Sequence, residues 1–121
     1  MPGLGHENPI PNASRIGSIL VSGSITGKDP STGKIPPEIA DQCALMFANI
    51  ERVMQAAGGT AEDIIKLTVW LKDKSHRPIV NQEWLAMFPD AESRPARHTF
   101  ASQDLAAGVL VQCEIMAVIG G

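Results

Sequence analysis

The stretch from Glu38 to Gly59 constrains the chain most. Its apolar side chains fall at Ile39, Cys43, Met46, Phe47, Ile50, Val53, Met54 and Ala57, spacings of four, three, one, three, three, one and three. That series matches one stripe of an α-helix. Pro36 and Pro37 precede it and Gly58-Gly59 follows it, which are the residue types favoured at a helix entrance and just past its end. A helix with one apolar stripe must bury it against another layer, so the rest of the chain has to supply one.

The neighbouring segments read as that layer. In "IIKLTVWLK" (64–72), Ile65, Leu67, Val69 and Leu71 alternate with Lys66, Thr68 and Lys72, the period of a half-buried strand. Trp70 interrupts the polar side, which predicts cover from another element or another subunit. "TAED" (60–63) reads as a short capped turn. "SILVSGSI" (18–25) reads as a strand, ended by the breakers of "TGKDPSTGKIPP". A second helix is predicted from about Pro78 to Phe88, with Val80, Trp84, Met87 and Phe88 on one side and Pro89 stopping it. "ARHTFA" (96–101) reads as a strand and "SQDLAAG" as a connection. "VLVQCEIMAVI" (109–119) reads as a strand too long and apolar for a wet sheet edge. The order β, α, β, α, β, β predicts an α+β fold whose helices cover one face of the sheet through right-handed crossovers. The other face then needs a cover, and oligomerisation is the simple remedy.

With 121 residues, the chain is expected to form a single domain, 1–121, with one core. A net charge of −3, three Phe, two Trp and no Tyr argue against a nucleic-acid partner, which asks for a basic face and stacking rings. No apolar run reaches the roughly 18 to 20 residues of a membrane span. The N-terminal stretch lacks the pattern of an export signal, so a cytoplasmic location is expected. Cys43 and Cys113 lie in apolar periodic segments and read as small buried hydrophobes. His6, His76 and His98 are scattered without metal-ligand spacing, so no metal is expected.

Arg97 is the leading candidate for chemistry, because its planar fork of donors fits a carboxylate bidentately and stays charged at any working pH. Position alone gives it no more standing than an ordinary surface arginine. Arg94 lies an odd number of residues away and points to the opposite side of an extended segment. Along the final strand Leu110, Gln112, Glu114 and Met116 share one face, and Val109, Val111, Cys113 and Ile115 share the other, wholly apolar one. A pocket combining Arg97 with Gln112 or Glu114 would bind a small carboxylate and place a water beside it. G-x-S-x-G is absent, and "GKDPSTGK" (27–34) lacks the spacing of a phosphate loop.

The segments "LVSGSI" (20–25), "DPSTGKIP" (29–36), "NIERVMQAAGGTAEDIIKLTVWLKD" (49–73), "VNQEWLAMFP" (80–89) and "RPAR" (94–97), in this order, resemble the RidA/YjgF family of homotrimeric enamine and imine deaminases. Some of its members have carried the label L-PSP endoribonuclease. The resemblance implies a fold like that of chorismate mutase: a mixed sheet with two helices on one face, the other face packed in a trimer with pockets between subunits. It implies that Arg97 holds a substrate carboxylate, that Ser22, Gly23, Asn81 and Thr99 line the pocket, and that no cofactor is needed. Thr99 stands where the family often has a cysteine. Two departures stand out. Gln112 falls where the family has the glutamate that orients the attacking water, and the N-terminal tyrosine of the usual "GPY" motif is missing. Glutamine can hold a water but cannot take its proton. Glu114, on the same face, and His6, near the missing tyrosine, are candidate substitutes.

The implied function is hydrolytic deamination of a small enamine or imine carboxylic acid to a keto acid and ammonia. The alternatives are a deaminase of 2-aminomuconate type and a non-catalytic trimer that binds small carboxylates. Ribonuclease action is opposed by the negative charge and by the absence of a His/Lys catalytic cluster.

Overall fold

The computed structural model describes residues 13–120. Its elements are β1 (Ala13–Ile16), β2 (Ile19–Ser22), β3 (Ile25–Thr26), α1 (Ile39–Ala56), β4 (Ile64–Leu71), α2 (Arg77–Met87), β5 (Ala96–Ala101) and β6 (Val111–Val118), with 3-10 turns at Ala61–Asp63 and Lys74–His76. The strands form one sheet in the order β1-β2-β6-β4-β5, and β3 continues the line of β2 along β6. β4 and β5 are parallel while β6 is antiparallel to β2, β3 and β4, so the sheet is mixed and β6 runs through its middle. Helices α1 and α2 contact each other and lie on one face.

The apolar stripe of α1 is fully engaged. Cys43, Met46, Phe47, Ile50, Val53 and Met54 pack on Leu67, Val69, Leu71, Val111, Cys113, Ile115 and Ala117. The helix stops where the chain reaches Gly58, whose φ of 80° suits a residue without a Cβ. Its N–H donates to Gln55 O and that of Gly59 to Met54 O, the paired bonds of a Schellman end. The 3-10 turn that follows is tied by Thr60 N–H donating to Asp63 Oδ2 at 3.0 Å.

Two buried amides on α1 were invisible to an apolar count. Gln42 donates through Nε2 to Pro36 O and Gly108 O and accepts from Leu110 N–H. Asn49 donates through Nδ2 to Thr26 O and Lys28 O. Together they staple the 26–37 excursion and the connection before β6 to the helix. Gly27 is required there by close approach, since a Cβ would strike the Gln42 backbone.

The segment 18–25 is not one strand. After Val21 pairs with Met116, β3 resumes with Ile25 opposite Cys113, so Ser22, Gly23 and Ser24 bulge against Glu114 and Ile115. The bulge is held by Ser22, whose Oγ accepts from Ile115 N–H at 2.9 Å and donates to Gly23 O at 2.8 Å. The β1–β2 hairpin also escaped the sequence reading, because its turn is only Gly17-Ser18, with Gly17 at φ of 59°, and its residues are mostly exposed. The second helix begins one residue earlier than predicted, at Arg77.

Among the described residues nothing covers the face opposite the helices. Ile16 (85% exposed), Ile19, Val21, Phe100 and Met116 lie on it, with Ile16 paired to Ile19, Val21 to Met116, and Phe100 in the row of Trp70 and Gln112. Trp70 stacks on Phe100 there, with ring centroids 6.2 Å apart.

Candidate carboxylate-binding site

Arg97 sits on β5, the sheet's edge strand, opposite Leu67 of β4. Leu67 is buried beneath the helices, and paired residues point the same way, so Arg97 faces α2. Its guanidinium lies over the Trp84 ring, 5.1 Å from the centroid, within cation–π range. Nε donates to Thr99 Oγ1 at 2.9 Å. The aromatic plane and the threonine fix the fork on a half-buried side chain. Burial first, and the charge of Arg77 second, push its pKa below the ordinary value. No carboxylate contributes to that shift. An arginine stays protonated through such a shift, so a fixed, partly desolvated cation remains without an anionic partner among the described residues.

The α2 residues over this edge share one stripe. Arg77, Asn81, Trp84 and Phe88 follow spacings of four, three and four, one side of a helix. Arg77 Nη2 reaches Thr99 O at 3.5 Å, and Trp84 reaches Arg97, so the half-buried Asn81 lies between two residues that touch the Arg97–Thr99 edge. Arg97 and Thr99 are therefore joined directly, and Asn81 lies on the stripe of α2 that faces them. Arg77 was not singled out from the sequence, since a lone arginine at a helix start carries no signal until the strand beside it is known. Arg94 is occupied elsewhere: its Nε donates to Phe88 O at 2.8 Å and closes the end of α2.

The other predicted site residues lie apart. Gln112 pairs with Trp70 and Thr26, and Glu114 pairs with Thr68, all on the uncovered face. Gln112 is two strands from Arg97 and on the opposite side of the sheet. A pocket joining Arg97 to Gln112 or Glu114 is thus not formed within a single chain. Ser22 stands level with Ile115, Leu67 and Arg97 across the sheet, three strand spacings or roughly 14 Å away, with buried core between. Its hydroxyl holds the bulge, which leaves the half-buried Gly23 backbone at that turn. His6 lies outside the described residues.

The remaining reactive groups have local explanations. Burial, with a smaller push from Glu83, raises the Cys43 thiol to about 11. Burial raises that of Cys113 further. Both therefore stay protonated and poor as nucleophiles. Among the described residues no cluster of His, Cys, Asp and Glu is placed to hold a metal ion, and no helix is long and apolar enough to cross a membrane.

Residues 11–119 match the family described as Endoribonuclease L-PSP. A RutC family protein of Pyrococcus horikoshii is 34% identical over 110 residues, 90% of this chain and 86% of that protein. The 2-iminobutanoate/2-iminopropanoate deaminase of Escherichia coli K12 is 29% identical over 104 residues, 85% of this chain and 81% of that protein. The crystal structure of E. coli TdcF with bound serine superimposes with a TM-score of 0.88 at 27% identity, covering 97% of this chain and 93% of that one.

Proposed function

The chain belongs to the endoribonuclease L-PSP family, the RidA/YjgF proteins, and from that premise we propose that it hydrolyses a small enamine or imine carboxylic acid to a keto acid and ammonia. The observation that carries the reading is Arg97: a cation held by Trp84 and Thr99, partly desolvated, and free of any carboxylate among the described residues. Such a fork fits a carboxylate in two parallel charge-assisted bonds. A deaminase of imino acids among the relatives and a bound amino acid in a structural neighbour support a ligand of that kind.

In the reaction, the enamine first tautomerises to the imine. A water oxygen then bonds to the imine carbon, the nitrogen takes up protons, the C–N bond breaks and ammonia leaves as the keto group forms. Arg97 anchors the carboxylate, and Gln112 positions the water through its amide. Glutamine accepts no proton, so catalysis rests on orientation and charge, with Glu114 on the same face as the nearest carboxylate along β6. Because Arg97 and Gln112 face opposite sides of the sheet, this assignment requires a second copy of the chain to bring one beside the other. In the proposed homotrimer the uncovered face of one chain meets the Arg97 edge of the next, and the exposed Ile19, Val21, Phe100 and Met116 supply the apolar area for it.

Arg97→Ala is expected to abolish ammonia release from freshly generated 2-iminopropanoate, measured against the uncatalysed rate, while the oligomer survives. Retained turnover in that variant sinks the assignment. Gln112→Glu is expected to raise turnover if the missing base limits it. A second reading, a non-catalytic carboxylate-binding trimer, is favoured by Gln112 alone; stabilisation by keto acids with no imine hydrolysed would select it.

A further inference from the structure

Arg77 places a second guanidinium at the Arg97 site. Its Nη2 approaches Thr99 O at 3.5 Å while Arg97 Nε donates to Thr99 Oγ1 at 2.9 Å, so both cations rest on one residue. Their separation is bounded by the size of a threonine and two hydrogen bonds. Like charges this close repel, and the partial burial of Arg97 lessens the water that screens them. No carboxylate among the described residues contributes to the charge environment of Arg97. The only Arg97 nitrogen with a hydrogen-bond partner among them is Nε, so its terminal nitrogens remain for a ligand.

One carboxylate occupies the fork of one arginine. The second arginine then remains as an unmatched positive charge at the rim. Arg77 is exposed and stands on the first turn of α2, so it meets the part of a ligand that extends from the half-buried Arg97 toward solvent.

We propose that the substrate is a short imino or enamine dicarboxylic acid, its α-carboxylate held by Arg97 and its second carboxylate by Arg77, which makes Arg77 a specificity-determining residue. This deepens the deaminase reading and rests on it. The preference follows from charge matching: a monocarboxylate leaves Arg77 unpaired, whereas a dicarboxylate neutralises both cations and recovers the cost of their proximity.

The test uses the full chain and two readouts. Calorimetric titration compares 2-oxoglutarate and freshly dissolved oxaloacetate with pyruvate and 2-oxobutanoate, the keto products of the two substrate classes. Ammonia release compares the imines generated from aspartate and glutamate with that from alanine. Wild-type protein is expected to favour the dicarboxylates at least tenfold in both. Arg77→Ala is expected to lower the dicarboxylate-to-monocarboxylate ratio at least tenfold, and Arg77→Lys to restore part of it. Equal affinity for the two classes in the wild type overturns the inference. So does an Arg77→Ala variant that weakens both classes equally, which would mean that both arginines grip a single carboxylate. The two levels fail differently: if Arg97→Ala still turns over imines, the deaminase assignment fails, whereas dependence on Arg97 without a dicarboxylate preference removes only the role given to Arg77.

Discussion

Along β6, Val111, Cys113, Ile115 and Ala117 are buried beneath the helices, while Gln112, Glu114 and Met116, alternating with them, look away from the core. The same division runs across the sheet. On the covered face Leu20, Leu67, Val69 and Leu71 join the cluster built on α1, and every large side chain there finds its neighbours within the chain. On the open face Ile19, Val21, Phe100 and Met116 are exposed beside Lys66, Thr68, His98 and Glu114. The covered face supplies the burial that folds a monomer. The open face retains apolar area and polar groups that the fold does not use, so its residues are available for assembly and chemistry. Arg97 belongs to neither set, because it sits at the edge where α2 ends its cover of the sheet.

Three substitutions would sharpen or break this contrast. The largest effect on stability is expected from Leu67→Ala, in the middle of the covered face: a loss of about 2–5 kcal/mol, read by chemical denaturation. A loss well under 1 kcal/mol would mean that this face is not close-packed. Ser22→Ala should cost about 1–3 kcal/mol, because it leaves the buried Ile115 N–H without its acceptor. If the variant matches wild type, the hydroxyl does not hold the bulge, and a direct binding role for Ser22 gains ground. Val21→Lys, on the open face, should change the stability of the dissociated chain by no more than about 0.5 kcal/mol. It should nonetheless shift the sedimenting species toward monomer. Unchanged assembly would separate the open face from the proposed interface.

Much of the covered face was legible in sequence order. The apolar spacing of 39–57 located α1 to within a residue or so, and the alternation of 64–72 and 109–119 assigned most of the right side chains to the core; the exception is Ile65, which is exposed while Ile64 is buried, because a bulge between Ile64 and Lys66 shifts the alternation. Gln42 and Asn49 show what was passed over. They fall on the same helical arc as Met46 and Val53, so the signal was present, but an apolar count excludes amides whose partners are loop carbonyls far along the chain. The bulge at Ser22–Ser24 was hidden for a related reason: a run of β-branched residues reads as one strand until the register of β6 shows that two residues there oppose three.

The candidate site was legible in part. The likeness of "RPAR" and its companion segments to a known family selected Arg97, Thr99 and Asn81, and these gather at one edge. Arg77 emerged only when α2 was seen lying along β5. Gln112 was correctly assigned to the face away from the core, but the sequence reading had no means of knowing that Arg97 turns the other way.

The sequence by itself determined the helices, the alternation that builds one apolar face, and the residue types capable of holding a carboxylate, because periodicity and side-chain chemistry are local properties. Tertiary structure decided which of those residues can meet. Strand order and register set Arg97 and Gln112 on opposite sides of the sheet, and a side chain's face is fixed by pairing across strands that are distant in the chain.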